Sequence, residues 1–333
     1  MREPSFWWQR DSGWPAAALS PLASIYGVIS GARMARTGTR APVPVICVGN
    51  FTLGGSGKTP TAMTLARLLT EAGHKPMILS RGYGGDAAGP LMVDPLIHNA
   101  TQTGDEALLL AHAAPTIVAR DRIAGARMAA QYGATVIVMD DGLQNSSLQK
   151  NFALAVIDGQ RGIGNGKVFP AGPLRAPMAT QWSRIHALLV ISESDSARAL
   201  IAEAQSRAFP VFYGRLQPNG AAVVALQGHK ALAFAGIGNP DKFFATIEAA
   251  GIAAPVRKRF SDHHVYSNEE AADLLMKAEH EGLDLVTTEK DLARMSGRPG
   301  LAALKSRARA LPVTLGISEE PKLRDLILSA IRH

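Results

Sequence analysis

A glycine-rich run near the N-terminus constrains the fold of this chain more than any other feature. Residues 52–59 read Thr-Leu-Gly-Gly-Ser-Gly-Lys-Thr and end in the Gly-Lys-Thr of a phosphate-binding P-loop. The apolar run 43–48 before it predicts a buried parallel strand, and apolar side chains at helical spacing in 60–72 predict a helix after it. The motif requires this context. It therefore predicts an α/β fold with a mostly parallel sheet, covered by helices on both faces.

The residues of this loop are the candidate nucleotide-binding residues. Its glycines let the backbone curl so that N–H groups point at phosphate oxygens, and the following helix N-terminus favours anions. Lys58 would reach the β- and γ-phosphates, and the Thr59 hydroxyl would bind Mg²⁺. Thr52 stands where the consensus has its first glycine. The full candidate set is Thr52, Leu53, Gly54, Gly55, Ser56, Gly57, Lys58 and Thr59.

An apolar strand that ends in two acids supplies the second half of a nucleotide site. Residues 135–139 read Thr-Val-Ile-Val-Met and precede Asp140 and Asp141. This is the Walker B pattern, in which a neighbouring strand delivers a carboxylate to Mg²⁺. Successive side chains point in different directions, so one acid would hold the metal or its water while the other faces the substrate or a base. The sequence leaves open which acid contacts the metal.

The predicted nucleotide is ATP. A GTPase would carry Asn-Lys-x-Asp to recognise guanine, and the nearest string, 288–291, has glutamate in place of asparagine. We interpret that string as a strand end followed by a helix cap. A metallochaperone-type P-loop GTPase is therefore disfavoured, also because the chain offers a poor set of metal ligands.

Predicted strands and helices alternate along the chain, which favours a parallel core followed by a second, smaller α/β lobe. Core strands are predicted at 43–48, 75–80, 116–119, 135–139, 152–157 and 187–191, with helices at 60–72, 105–113 and 123–132. Residues 211–226 are predicted to be β-rich and to link the lobes. The second lobe would have strands at 231–235, 285–287 and 313–315, with helices near 241–250, 268–280 and 322–331. The predicted units are an N-terminal segment 1–40, a P-loop core 41–212 and a C-terminal lobe 213–333.

Composition limits the partners of the protein. The chain has 333 residues, a net charge of +7 and a pI of about 9.7, which favour a nucleotide, nucleic acid or acidic lipid as partner. Nucleic acid is disfavoured, because the positive residues are scattered, aromatic content is only 6% and no nucleic-acid motif occurs. A single cysteine, Cys47, excludes a disulfide framework and a zinc cluster and agrees with a reducing cytoplasm.

The N-terminal segment is uncharged over a long stretch and is flanked by tryptophans. Residues 14–32 contain no charged side chain, and Arg33, Arg36 and Arg40 follow. We interpret this stretch as an interfacial amphipathic helix, with tryptophans at headgroup level and arginines facing anionic phosphates of a membrane. The alternative is a helix packed on the protein's own core. A signal peptide is disfavoured, because the first residues mix acids with bases and the P-loop needs cytosolic ATP.

Four further segments could supply the base and the cations that phosphoryl transfer needs. They are Gly104-Asp105-Glu106 at a predicted helix start, 80–85 at a strand end, 170–175 in a rigid loop, and Asp262-His263-His264 after the basic residues 257–259. Each of them is also compatible with an ordinary cap or turn. The last segment favours a histidine–carboxylate pair over a metal site, because two adjacent histidines point apart and make a poor chelate.

Seven motifs in one order extend over nearly the whole chain: 50–60, 80–84, 104–106, 140–144 (Asp-Asp-Gly-Leu-Gln), 169–175 (Phe-Pro-Ala-Gly-Pro-Leu-Arg), 262–263 and 287–291 (Thr-Thr-Glu-Lys-Asp). In this order they closely resemble tetraacyldisaccharide 4'-kinase, the lipid A 4'-kinase of Gram-negative bacteria. The resemblance implies ATP-dependent phosphorylation of the 4'-hydroxyl of a tetraacylated glucosamine disaccharide 1-phosphate. It also implies peripheral attachment to the cytoplasmic face of the inner membrane. For the oligomeric state of the protein, a monomer is favoured.

The resemblance implies roles for individual residues. Asp105 matches the proposed catalytic base and His263 its partner, and Lys58 and Asp141 complete the catalytic set. Thr59, Asp140 and Asp141 match the Mg²⁺ site, and Arg81, Tyr83, Asn145 and Arg175 are the residues at substrate positions.

Two departures from the family pattern are visible. Asn145 stands where the family usually has histidine, and Ala176 stands where glutamate commonly follows the arginine. Asparagine can donate a hydrogen bond but cannot carry a proton or a charge. A soluble P-loop kinase or ligase that acts on a metabolite remains the alternative, and the uncharged N-terminal segment argues against it.

Overall fold

The structure is a computed structural model that describes residues 3–9 and 13–332. Residues 1, 2, 10–12 and 333, which fall in the predicted N-terminal segment and C-terminal lobe, lie outside the described residues. The strands are β1 Val45–Gly49, β2 Pro76–Ser80, β3 Leu91–Met92, β4 Thr116–Val118, β5 Val136–Met139, β6 Phe152–Asp158, β7 Ala187–Ile191, β8 Val211–Pro218, β9 Lys230–Ala235, β10 Ala253–Arg259, β11 Asp284–Thr287, β12 Arg309–Ala310 and β13 Val313–Ile317. The helices are α1 Gly13–Ala35, α2 Lys58–Glu71, α3 Ala100–Thr103, α4 Asp105–Ala113, α5 Arg122–Gln131, α6 Met178–Trp182, α7 Arg198–Ser206, α8 Gly220–Val224, α9 Pro240–Ala249, α10 Asn268–Glu281, α11 Glu289–Met295, α12 Ala302–Arg307 and α13 Glu320–Ile331.

A nine-stranded sheet forms the larger part of the molecule. Its order is β13-β8-β7-β6-β1-β5-β2-β4-β3. All neighbours pair in parallel except at the two edges, where β13 and β3 pair antiparallel. The strand before the glycine loop, β1, lies in the middle. Because parallel strands end at the same edge, the loops after β1, β2 and β5 meet at one end of the sheet. The predicted mostly parallel sheet is confirmed.

Helices cover both faces of this sheet, as predicted. All five residues of β1 are buried, as expected for a parallel strand covered on both sides. Its alternate side chains enter different clusters. Ile46 and Val48 pack in a cluster with residues of α2 and α13, whereas Cys47 belongs to a cluster with residues of α7. The P-loop strand is therefore fixed at the centre of the core.

A second sheet of four parallel strands has the order β10-β9-β11-β12. On one side, Leu232 and Phe234 pack in a cluster with Ala271, Leu274 and Ala278 of α10. On the other side, alternate residues of β9 pack in a cluster with α9. The predicted smaller α/β lobe is confirmed.

The link between the two sheets differs from the prediction. Residues 211–226 are not β-rich throughout: β8 ends at Pro218, and the helix α8 follows directly. The physical reason is Asn219, whose side chain accepts a hydrogen bond from the N–H of Ala222 and caps that helix.

The last strand and helix also differ from the prediction, because they do not belong to the second sheet. β13 pairs antiparallel with β8 at the edge of the nine-stranded sheet. Leu315 and Ile317 of β13, with Leu323 and Ile327 of α13, are buried in the same cluster as α2. The second lobe is therefore inserted between β8 and β13.

The N-terminal helix α1 has two apolar faces of different character. Its small residues lie toward the protein: Gly27 and Gly31 both approach Pro177. Most of its large apolar side chains are exposed, namely Trp14, Leu22, Ile25, Tyr26, Val28 and Ile29, whereas Met34 near its end is buried. The interfacial role of this helix stays a prediction, and the structure shows an apolar helix over Gly13–Ala35. Among the described residues, α1 is the one helix that is long and apolar enough to cross a membrane by length and composition alone.

Candidate active site

The glycine loop leaves β1 and closes at the start of α2. Gly57 has a φ of 88°, in the left-handed region, and a Cβ there would lie 2.5 Å from Ile191 Cδ1. Gly54 also has a positive φ, of 96°. Glycine is required at both positions, and the helix that begins at Lys58 directs its N-terminus toward the loop. The predicted strand–loop–helix context is confirmed.

A lysine, an arginine and a carboxylate meet beside the loop. Lys58 Nζ lies 3.7 Å from Asp141 Oδ1, and Arg175 Nη1 lies 2.8 Å from the same oxygen. Arg175 Nε also donates to the carbonyl of Thr52 at 2.9 Å. Burial lowers the pKa of Lys58, although the charge of Asp141 opposes this effect. Because Lys58 and Arg175 share a single carboxylate, Asp141, these two side chains can also bind a further anion.

Asp140 is the most isolated carboxylate of the site. It is 2% exposed, and its Oδ1 has no hydrogen-bond partner among the described residues. Burial, together with the negative charges of Glu106 and Asp141, raises the pKa of Asp140 to about 7. A buried, unpartnered carboxylate oxygen next to a second acid suits a cation.

Mg²⁺ fits this position. It binds through one or two carboxylates and keeps waters and substrate phosphates as its other ligands. The hydroxyl of Thr59, with Asp140 and Asp141, would hold it. Among the described residues no group of three or more histidine, cysteine or acidic side chains has the geometry to hold a metal ion by itself.

At the same cleft, Asp105 and His263 form the predicted pair. His263 Nδ1 lies 3.4 Å from Asp105 Oδ2. His263 lines the cleft, whereas Asp105 is 4% exposed and lies behind it. Although burial opposes ionisation, the hydrogen bond with His263 and the charges of Arg294 and Lys290 hold the pKa of Asp105 well below its usual range. The same hydrogen bond raises the pKa of His263.

The predicted substrate residues line the same cleft but differ in their surroundings. Tyr83 is 63% exposed, and its ring centroid lies 5.2 Å from that of His263. Arg81 precedes it on the loop after β2. Asn145 Oδ1 accepts from the backbone N–H and the hydroxyl of Ser147, so its oxygen stabilises a turn. The three side chains are brought together with the nucleotide loop.

The cleft has a volume of about 1660 Å³ and lies between the two sheets. Its floor holds the P-loop, Asp140, Asp141 and Arg175, and its other wall includes Lys242 and Phe243 of α9. Three predicted residues do not line it: Thr52, Ser56 and Asp105 are buried beneath its surface. Lys242 Nζ lies 3.3 Å from Asp158 Oδ2 and joins the two walls.

The N-terminal segment also contacts the phosphate loop, which sequence reasoning did not predict. Glu3 packs against Gly54, and its Oε2 lies 2.7 Å from Arg161 Nη1. Trp8 Nε1 donates to the same oxygen at 3.1 Å, and the guanidinium of Arg161 stacks over the Trp8 ring. These contacts connect the tryptophan-rich segment to the nucleotide site.

Sequence reasoning also missed two cations of the second lobe. Arg294 Nε lies 2.7 Å from Asp105 Oδ2, and Lys290 Nζ lies 2.5 Å from Glu106 Oε1. Lys290 lies in the motif 287–291, but no sequence pattern indicated that its partner is Glu106. Arg294 lies three residues after Asp291 on the same helix, which is the only local signal that could have found it.

Fold and site together define a class: an α/β kinase of the P-loop type, with a phosphate loop and a histidine–carboxylate pair at one cleft. Residues 15–332 match the protein-family model for Tetraacyldisaccharide-1-P 4'-kinase. The chain therefore belongs to the tetraacyldisaccharide-1-P 4'-kinase family.

Similar proteins agree with this assignment. The chain is 54% identical to the tetraacyldisaccharide 4'-kinase of Methylobacterium sp. (strain 4-46), over 94% of each chain. It is 50% identical to that of Bradyrhizobium sp. (strain BTAi1), over 98% of this chain and 94% of the relative. The crystal structure of LpxK from Aquifex aeolicus in complex with ATP has a TM-score of 0.74 and 25% identity, covering 96% of this chain and 100% of that chain.

Proposed function

We propose that this protein transfers the γ-phosphoryl group of ATP to the 4'-hydroxyl of a tetraacylated glucosamine disaccharide 1-phosphate. The product is the 1,4'-bisphosphate of lipid A biosynthesis. The observation that carries the proposal is that Lys58 and His263 line one cleft, with Asp105 directly behind His263, in a chain that belongs to the family. A kinase needs a phosphate-binding cation and a proton acceptor in one cleft, because the acceptor hydroxyl must approach the phosphoryl group in line.

On the nucleotide side, the backbone of 52–59 would hold the phosphates, and Lys58 would stabilise charge on the γ-phosphoryl oxygens. Arg175 contributes by fixing Asp141 and the loop carbonyl of Thr52, so it supports the nucleotide side more directly than the sugar. Thr59, Asp140 and Asp141 would hold Mg²⁺, which supplies charge neutralisation to the phosphates when bound.

On the acceptor side, Asp105 and His263 would act as a unit. The ring of His263 faces the cleft, and Asp105 behind it sets the charge and orientation of that ring. The proton of the 4'-hydroxyl would pass to this pair as the oxygen bonds to the γ-phosphorus, while the bond from that phosphorus to the β–γ bridging oxygen breaks and ADP leaves. A carboxylate of low pKa is a weak acceptor by itself, so the geometry supports the pair over Asp105 alone.

The sugar headgroup would bind between the P-loop and the second lobe. Arg81, Tyr83 and Asn145 line that part of the cleft. The exposed ring of Tyr83 suits a sugar face, and Arg81 suits the anionic 1-phosphate. Asn145 keeps its amide NH₂ for the substrate, because its oxygen is engaged in the local turn.

The substrate is a lipid, and α1 would keep the enzyme at the cytoplasmic face of the inner membrane. Six large apolar side chains of α1 are exposed, and Arg33, Arg36 and Arg40 follow them toward anionic headgroups. Glu3 and Trp8 would connect this anchor to the P-loop. A monomer is the proposed state.

The two lobes would exclude water during transfer. The pairs Lys242–Asp158 and Lys290–Glu106 each join one lobe to the other. Exclusion of water strengthens the interactions of Lys58 with phosphate and prevents hydrolysis of ATP.

The decisive experiment is phosphoryl transfer from γ-³²P ATP to the tetraacyl disaccharide 1-phosphate in mixed micelles. Labelled bisphosphate is expected with ATP and not with GTP. ATP hydrolysis that is independent of the lipid, without labelled lipid, would reject the proposal in favour of a soluble P-loop enzyme.

A further inference from the structure

One buried arginine contacts the carboxylate of the histidine–carboxylate pair directly and is joined to the histidine through a shared backbone carbonyl. Arg294 lies on α11 with its side chain 8% exposed. Its Nε donates to Asp105 Oδ2 at 2.7 Å, and its Nη1 donates to the carbonyl of Gly236 at 2.7 Å. The same carbonyl accepts the backbone N–H of His263 at 3.1 Å. A single planar guanidinium is thus joined to Asp105 directly and to His263 through a shared acceptor.

The guanidinium is itself held in place. Arg294 Nη1 donates to Asp291 Oδ1 at 2.8 Å. That fully buried carboxylate also accepts from the hydroxyl of Tyr266 at 2.8 Å and from the hydroxyl of Thr288 at 2.6 Å. Loss of one partner would leave a buried polar group unpaired, so the arrangement resists rotation of Arg294. These hydrogen bonds therefore fix the position of the Arg294 side chain in the second lobe.

These contacts determine how the pair is arranged. Asp105 Oδ1 accepts the N–H of Glu106 at 3.0 Å, and Oδ2 is left for Arg294 and His263. His263 has a φ of 53°, which is uncommon for a residue with a side chain. Its bond to Gly236, whose carbonyl Arg294 also contacts, helps to hold this conformation. Without the guanidinium, both the carboxylate and the loop would gain freedom.

We infer that Arg294 is a positioning residue for phosphoryl transfer, which sets the distance and orientation between Asp105 and His263 from the second lobe. The inference rests on the proposed function, because it assigns Arg294 to the acceptor side of that reaction. Arg294 does not line the cleft and acts through the pair. Because α4 and α11 belong to different lobes, the geometry of the pair depends on the contact between the lobes.

A simple brace between the lobes is the competing explanation, and it predicts different measurements. Loss of a brace would reduce stability and nucleotide binding together. Loss of a positioning residue would reduce kcat while the KM for ATP changes little, since the P-loop is untouched. It would also change the titration of His263, which faces Asp105 from α4, Arg294 from α11, Asp262 of its own loop and the ring of Tyr83.

The experiment compares Arg294→Met, Arg294→Lys and the control Arg307→Met. Arg307 lies in the same lobe and pairs with Glu279 at the surface. Arg294→Met is expected to lower kcat about 100-fold or more, as misplacement of a catalytic group does, with the KM for ATP within about threefold. Arg294→Lys is expected to lower kcat at least about tenfold, because an ammonium does not reproduce the planar fork. The control should match the wild type.

An NMR titration of the His263 ring in the same proteins needs no substrate. The hydrogen bond with Asp105 raises the pKa of His263 more than the charge of Arg294 lowers it, so loss of the pair's geometry should make this pKa fall in Arg294→Met, while it stays constant in Arg307→Met. A wild-type kcat in Arg294→Lys, or an unchanged His263 titration in Arg294→Met, overturns the inference. If Arg294→Met does not fold, kcat of the lysine variant decides. Wild-type protein without kinase activity would reject the proposed function, while the titration would still test the Arg294 contact.

Discussion

Lys58 is largely buried and yet charged, and its neighbours explain how this is tolerated. Its side chain is 11% exposed and lies near Asp141, which also pairs with Arg175. Burial lowers the pKa of Lys58, and Asp141 partly restores it. Two cations share one carboxylate, so the site has an excess of positive charge beside the P-loop. An anionic phosphate would supply the missing counter-charge.

We expect Lys58→Met to lower kcat by about 100-fold or more, because the γ-phosphoryl oxygens lose a preorganised cation. Stability should not fall, since the substitution removes a desolvated charge while Asp141 keeps Arg175 as partner. The phosphoryl-transfer assay and thermal unfolding measure the two effects. A variant with near wild-type kcat, or one that has lost folding, would contradict this assignment.

The His263–Asp105 pair should make stability depend on pH with a defined sign. The folded-state pKa of His263 is raised, so its contribution is fully present below the unfolded pKa of about 6.5 and is lost as pH rises through the folded value. The pKa of Asp105 is lowered, so its contribution is present above about pH 4 and is lost toward lower pH.

The prediction compares wild type with His263→Gln by urea unfolding at several pH values. The wild type should exceed the variant most between about pH 4 and 6.5, and the difference should shrink as pH rises through the folded pKa of His263. A difference that grows with pH would show that the imidazolium is not stabilised by Asp105.

Sequence patterns predicted the site residues that lie in local motifs and missed those whose partners are distant in the chain. Lys58, Asp140 and Asp141 follow from a glycine loop and from a strand end, where position in the chain fixes position in the fold. Arg294 reaches Asp105 from 189 residues away, and a lone arginine in a helix gives no indication of its partner. The depth of Asp105 behind His263 is likewise a property of packing between lobes.

Among the elements, α1 is unusual because its two faces differ in size and not in polarity. Small residues allow close packing on the protein, as Gly31 shows, where a Cβ would lie 3.5 Å from Thr180 Oγ1. The large apolar side chains are left in contact with solvent, including Val28 at 73% and Ile25 at 60% exposure. Such a face on a soluble monomer normally marks an interaction site.

We expect Ile25→Asp and Val28→Asp to reduce binding to anionic vesicles, because each removes a large apolar side chain from the bilayer and adds a repelled charge. A decrease of at least about tenfold for each is expected in a co-sedimentation assay, with kcat in detergent micelles retained. Met276→Asp on α10, an apolar residue 62% exposed, is the matched control. Equal sedimentation of all three variants and the wild type would exclude α1 as the anchor.

Sequence patterns located most helices and strands to within a few residues and failed where the position of a strand in its sheet determines its sequence. β10 was not predicted, because it is an edge strand with Pro255 and three consecutive basic side chains at 257–259, which do not show the apolar run of a buried strand. The buried strands β1, β5, β6 and β7 were predicted, because burial on both faces gives them continuous apolar sequences.

In the whole molecule, the chain leaves the larger unit after β8 and returns to it at β13, so the larger unit is not continuous in sequence. A short strand such as 313–315 carries no information about which sheet it will join, so sequence assigned it to the nearer lobe. It instead returns to β8 and brings α13 against α2. We propose that the protein consists of a discontinuous larger unit, with residues up to 218 and from 313, and an inserted unit 219–312.

This division predicts the behaviour of two fragments. Fragment 219–312 contains the complete four-stranded sheet, so it should be soluble and unfold cooperatively. Fragment 213–333 adds β13 and α13 without their sheet, and Leu315, Ile317, Leu323 and Ile327 would be exposed, so it should aggregate. Far-UV circular dichroism during urea unfolding is the measurement, since neither fragment contains a tryptophan. If the longer fragment proves the more stable, β13 and α13 belong energetically to the second lobe, and the boundary near 213 is the correct one. Restoring residues 41–212 on the same chain should rescue the longer fragment, because α2 and the strands β1, β6 and β7 supply the buried surfaces that those four side chains lack.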